Sequence, residues 1–293
     1  MFYYNKSIKM PLRVYKGRYV YCISTENDGI SMRTFGKNKG EAQTVEDLIE
    51  ILNREDRVDL SFIRVEQDDL KKITLGVKDK LIGIESYSAI DDLTFIESFP
   101  HLLEVSFHHA EKVEKIWDTS KNPLLREITL YYARNLKNID GLRDSYIEKL
   151  VISGVHIAYE DRTDAPIIDD ISALESLVNL THLEFFVGKN GAKVKDLQVF
   201  SSLVNLKFLR LARDYFSFKQ IAWLKSRLPD VENLNADFYF LHQRWDDTFW
   251  YAIYGYDMPG WIQEKPENDI DKYFDDFRNL VEFYEQNPTP PEN

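Results

Sequence analysis

The residues suited to chemistry in this chain are few and scattered. His108-His109 is the one histidine pair and Cys22 the one cysteine, while Asp91-Asp92 and Asp169-Asp170 are paired carboxylates. Adjacent residues of a strand point to opposite faces, so His108 and His109 do not aim at one ion. The aspartate pairs read as turn and cap residues rather than ligands. Glu104 and Glu127 have the residue type for general acid–base work. No Gly-rich phosphate loop, G-x-S-x-G elbow or H-E-x-x-H helix occurs. Cys22 carries no local signature of a nucleophile. No catalytic centre, metal site or cofactor is expected, which leaves recognition as the use of these side chains.

Composition narrows the partner. The chain has 293 residues, 44% hydrophobic and 14% aromatic, enough to bury a large core. Its formal net charge is -12 with no strongly basic block, which argues against nucleic acid and anionic membranes. A single cysteine forms no intramolecular disulfide. The first residues lack an apolar core of signal-peptide length, and no run approaches the roughly 18 apolar residues that span a bilayer. A cytoplasmic protein is expected.

What must position the candidate residues is a repeat. Ser176-Leu177-Val178-Asn179-Leu180 recurs 26 residues on as Ser202-Leu203-Val204-Asn205-Leu206. The shared pattern, apolar-x-x-apolar-x-apolar, gives eight segments: Leu60/Ile63/Val65, Leu81/Ile84/Ser86, Leu102/Val105/Phe107, Leu125/Ile128/Leu130, Ile147/Leu150/Ile152, Leu180/Leu183/Phe185, Leu206/Leu209/Leu211 and Val231/Leu234/Ala236. Their first positions are 21, 21, 23, 22, 33, 26 and 25 residues apart. Over residues 57–240 the chain resembles the leucine-rich-repeat family. Apolar residues every third position (Val113 and Ile116; Leu136, Ile139 and Leu142) resemble the short-turn or 3₁₀ side of its internalin-like and phosphatase-regulator-like subclasses. The asparagine that the family often places eight residues after the first leucine is absent, so no asparagine ladder forms there. The resemblance implies an α/β, right-handed solenoid (horseshoe) with a parallel β-sheet on its concave face, each repeat burying its apolar side against its neighbours.

Three regions depart from the period. Residues 1–56 are expected to form an N-terminal cap: strands at 18–24 and 30–35 joined by an Asn27-Asp28-Gly29 turn, then a helix near 45–53 capped by Thr44. Residues 154–168 interrupt the repeat as an insertion. Residues 241–293 form a C-terminal cap. It holds an aromatic stretch (Trp245, Phe249, Trp250, Tyr251, Tyr254, Tyr256, Trp261) that seals the last repeat or is itself a recognition patch. An amphipathic helix follows, with Ile270, Tyr273, Phe274, Phe277, Leu280, Val281 and Tyr284 on its apolar face. The tail from Pro288 is expected to be disordered.

If positions 1, 4 and 6 of each segment face the core, positions 3, 5 and 7 line the concave face. The columns run Phe62, Gly83, Glu104, Glu127, Lys149, His182, Phe208, Asn233; then Arg64, Glu85, Ser106, Thr129, Val151, Glu184, Arg210, Asn235; then Glu66, Tyr87, His108, Tyr131, Ser153, Phe186, Ala212, Asp237. Tyr87, His108, Tyr131 and Phe186 gather along one edge, accompanied by Glu85, Glu104, Glu127 and Glu184. Aromatic anchors within carboxylates suit another protein with a basic, partly apolar surface. The expected function is protein binding through this face. Two specific forms are an immunity- or antitoxin-type protein and a regulatory subunit that masks an enzyme; an enzyme with unrecognised chemistry in the terminal segments is the alternative.

Overall fold

A computed structural model describes residues 20–26, 29–34, 41–42, 44–154, 165–188, 194–235, 243–245, 248–253, 255–258, 261–263 and 269–292. Strand β1 (Val20–Glu26) pairs antiparallel with β2 (Gly29–Thr34), which pairs with β3 (Glu41–Ala42). Helix α1 (Val45–Leu52) begins at Thr44. The Thr44 hydroxyl accepts from the Asp47 N–H, and the Asp47 carboxylate accepts from the Thr44 N–H. Two otherwise orphan donors of the first turn are thereby satisfied.

Next come β4 (Val58–Ile63), α2 (Gln67–Gly76), β5 (Leu81–Ser86), β6 (Glu104–Phe107), β7 (Glu127–Leu130), β8 (Lys149–Ser153), β9 (His182–Phe186), α3 (Val194–Ser201), β10 (Phe208–Leu211) and α4 (Phe218–Arg227). Strands β1 and β4 to β10 form a parallel array in sequence order. The fold is therefore α/β and solenoid-like. The N-terminal segment, which departs from the repeat in sequence, adds three strands to the same sheet, β1 pairing with β4, and buries Tyr21 and Ile23.

The return segments follow from the spacing. Where repeats are short, the return is a single 3₁₀ turn, at Thr94–Ser98, Thr119–Lys121 and Asp140–Leu142; another, Ser172–Ser176, lies between β8 and β9. Nearer either end the return is an α-helix, α2 after β4 and α3 after β9. Successive turns pack closely: a Cβ on Gly141 would stand 2.0 Å from the Trp117 carbonyl oxygen. The core between sheet and turns is a stack of equivalent residues, among them Ile84, Val105, Ile128, Leu150, Leu183 and Leu209, all buried. Ser86, in an otherwise apolar position, is buried too; its hydroxyl accepts the Ser88 N–H.

Two expected segments are corrected. The register pairs Leu60 with Ile84 and Phe62 with Ser86, with an irregularity between Val58 and Asp59. Phe62 is thus a core residue with no exposed surface, not part of the open face. Asp59, Ser61 and Ile63 take the positions expected of Phe62, Arg64 and Glu66. Arg64 is the first residue beyond the strand, at φ 58°, and Glu66 precedes α2. At the other end, Val231 and Leu234 are buried but flank a turn rather than lying in a strand. Asn233 between them closes the sheet edge: its side chain accepts the Leu209 N–H at 3.0 Å and donates to the Leu209 carbonyl at 2.7 Å. A carboxamide here does what the backbone of a further strand would do. Ala236 and Asp237 lie outside the described residues.

At the C-terminal end, β11 (Gln243–Trp245), β12 (Thr248–Ala252) and β13 (Trp261–Gln263) form a separate antiparallel sheet, followed by α5 (Ile270–Gln286). The expected apolar face of α5 is the one that packs: Ile270, Phe277 and Tyr284 are buried, and Tyr273, Phe274, Leu280 and Val281 are partly so. Phe277 meets Phe218 of α4 edge-on at 5.5 Å. The tail does not start free, because the Pro288 carbonyl accepts from the Trp223 indole at 3.0 Å. Of the aromatic stretch, Tyr256 is exposed; Tyr254 and the other rings fall outside what the structure describes, as do residues 155–164 of the insertion.

Candidate functional site

In-register parallel strands place equivalent residues about 4.8 Å apart. Rings at one position of consecutive repeats are therefore direct neighbours. Strand pairing continues Ser86↔Phe107↔Leu130 into Tyr87, His108 and Tyr131. The Tyr87 and His108 rings stack at 4.1 Å and 13°, and His108 and Tyr131 lie 5.2 Å apart at 39°. All three are partly exposed on the open face.

Glu85 holds this ladder from below. It accepts the Tyr87 hydroxyl at 3.0 Å and the Ser61 hydroxyl at 3.2 Å, and lies 3.5 Å from His108 Nε2. Burial pushes the Glu85 carboxyl up, but hydrogen bonds from His108 and Tyr87, with the imidazole charge, outweigh it and leave the pKa below the usual carboxylate range. Ser106 Oγ is 3.2 Å from the same Nε2. A nucleophile relay needs its serine and carboxylate on opposite imidazole nitrogens; here both fall on one.

Glu104 and Glu127 sit side by side in register, and Lys149 follows on the next strand with Nζ 3.9 Å from Glu127. Like charges directly opposite across a sheet destabilise it. The N-terminal half of the face thus joins an aromatic ladder to two adjacent carboxylates.

The other half is closed on itself. Glu184 accepts from Arg210 at 3.2 Å and contacts His182 Nε2 at 3.1 Å, and His182 stacks on Phe208 at 4.4 Å. The Arg210 guanidinium lies 4.8 Å from the Phe186 ring centroid. Glu184, Arg210 and Phe186 are only 9%, 2% and 4% exposed. Glu184 and Phe186 therefore present little surface, and Phe186 stands two strands from Tyr131 rather than within the ladder. Burial raises the Glu184 pKa, but the His182 hydrogen bond and the Arg210 charge more than reverse this. With its folded pKa depressed, Glu184 stabilises the protein above its unfolded value and loses that contribution as pH falls through the folded one. Glu184→Gln should therefore be less stable than wild type near neutral pH in urea titrations, with the gap narrowing in acid. A gap independent of pH would contradict the assignment.

Two residues not anticipated as a pair form a separate ring stack just past the strands. His109 stacks on Tyr132 at 5.5 Å and 4°, with the Arg134 guanidinium 5.7 Å from the Tyr132 ring. Tyr132 has φ 56°, strained for an aromatic residue. The doublets His108-His109 and Tyr131-Tyr132, in equivalent places of consecutive repeats, carried the signal. Cys22 lies in register beside Ser61 at the sheet's N-terminal end. Among the described residues, no group of three or more His, Cys, Asp or Glu side chains is placed to hold a metal ion, and no helix is long and apolar enough to cross a membrane. The sequence matches no protein-family model and no curated protein.

Proposed function

We propose that the chain is a leucine-rich-repeat solenoid of the cytoplasm whose concave sheet face binds another protein and performs no catalysis itself. One observation carries this reading: the Tyr87–His108–Tyr131 row of neighbouring rings is displayed on the sheet face, beside Glu85 and the Glu104/Glu127 pair, rather than packed into the core. Aromatic rings give a large contact area at small conformational cost, and flanking carboxylates steer and select a cationic partner. The binding surface is the N-terminal half of the face, because Glu184 and Phe186 are occupied by Arg210. The test is affinity capture from the source lysate with wild type and Tyr87→Ala/Tyr131→Ala side by side. A stoichiometric partner held by the first and lost from the second supports the proposal; equal recovery contradicts it.

A further inference from the structure

Away from the sheet face, we infer that Trp223 and Arg227 of α4 form a recognition site for a proline-rich segment of a partner protein, which the chain's own residues 288–291 occupy in cis. Pro288-Thr289-Pro290-Pro291 follows α5 almost directly. Proline has no N–H to continue a helix and holds the residue before it out of the helical region; Asn287 closes α5 at φ -122° and ψ 87°. The segment then meets α4, where the Trp223 indole N–H donates to the Pro288 carbonyl at 3.0 Å. Pro290 and Pro291 are half-buried, and with the segment in place Trp223 is buried.

These are the parts that recognise proline-rich chains. Such chains dock on aromatic rings, and their preset backbone loses little entropy on binding. Their carbonyls have no N–H of the same run to pair with and accept from outside donors. The indole supplies both ring and donor. Arg227 fixes it, donating to the Tyr284 carbonyl while standing 6.0 Å from the Trp223 ring centroid. That tie runs between α4 and α5, so it persists when the segment leaves. The segment itself is lightly held. It adds no helix or strand, no residue of it is fully buried, and among the described residues no other hydrogen bond reaches residues 288–292. A tethered segment competes at an effective concentration of about millimolar. The site is therefore closed at rest and opens to a proline-rich chain that outcompetes the cis segment.

The experiment titrates the full chain with a fluorescent peptide copying residues 286–292 and a control peptide carrying alanine for each proline. Pro290→Ala/Pro291→Ala should loosen the cis segment and raise affinity for the proline peptide at least about tenfold over wild type. The alanine peptide should bind neither protein. Adding Trp223→Phe, which keeps a ring but removes the donor, should cancel the gain. In nuclear magnetic resonance spectra the Trp223 indole N–H, assigned by its loss in Trp223→Phe, should exchange with water faster in the double variant and slow again as peptide is added. Equal peptide affinity for wild type and the double variant, equal binding of the two peptides, or a gain that survives Trp223→Phe would overturn the inference. So would an indole N–H whose exchange the double substitution leaves unchanged, since the segment would then be ordinary packing.

Discussion

Replacing Asn122 by alanine is expected to destabilise the protein by about 2–4 kcal/mol, since a buried polar group stripped of its partner costs roughly 1–3 kcal/mol. Asn122 is buried between two turns of the coil. Its carboxamide oxygen accepts the Trp117 indole N–H at 2.8 Å, and its amide donates to the Ile96 and Phe99 carbonyls at 2.8 and 2.9 Å. It ties one return segment to the preceding one. Alanine leaves the Trp117 N–H with no acceptor inside the core and removes a second bond from each carbonyl. Aspartate is the sharper probe. It still accepts from Trp117, but sets a carboxylate against two carbonyl oxygens, so Asn122→Asp should lose at least as much stability as Asn122→Ala. Urea unfolding with an unchanged slope and a lowered midpoint would report this. An Asn122→Asp variant as stable as wild type would show that the two carbonyl contacts contribute nothing.

The second large effect is expected at Asn233. Leu209 turns its N–H and C=O toward the edge of the sheet, and the Asn233 side chain satisfies both. Asn233→Ala strips two buried backbone groups at once, for a loss of about 2–4 kcal/mol. It also uncovers a strand edge able to pair with another chain. The variant should therefore show a lower urea midpoint together with concentration-dependent association in sedimentation. Wild-type stability and no new association would mean that the edge is closed by other means.

Much of this fold was legible because the 1-4-6 apolar pattern recurs in β6 through β10 and, with Ser86 in the last place, in β5: each of those strands occurs where the pattern places it. The first frame failed for a specific reason. Leu60, Ile63 and Val65 satisfy the pattern, while the frame the chain uses, through Leu60 and Phe62, has Arg57 at its first position and an irregularity at Val58. Apolar identity alone cannot weigh a bulge. The last frame failed differently. Val231 and Leu234 do fill the core, but Asn233 replaces backbone pairing with side-chain pairing, which no periodicity records.

For the candidate site, the period-two alternation identified which residues share a face but not which cover one another. The row of Tyr87, His108 and Tyr131 follows directly from equivalent positions on neighbouring strands. So does the Glu184–Arg210 pair, whose members are partners in the register; that neighbour relation was readable in the columns. The burial of Phe186 was not, because it depends on how Arg210 reaches across to the next strand's ring. Tyr132 was missed because it lies past the strand, where a positive φ rather than alternation aims the side chain.

The central claim, that the aromatic ladder is a protein-binding surface, is tested most directly by running the affinity capture with a third arm. Beside wild type and Tyr87→Ala/Tyr131→Ala stands Phe283→Ala, which alters an exposed aromatic residue on α5, away from the sheet face. The account predicts one stoichiometric partner retained by wild type and Phe283→Ala and lost from the ladder variant. Retention by the ladder variant with loss from Phe283→Ala would contradict it and place binding on the C-terminal helix.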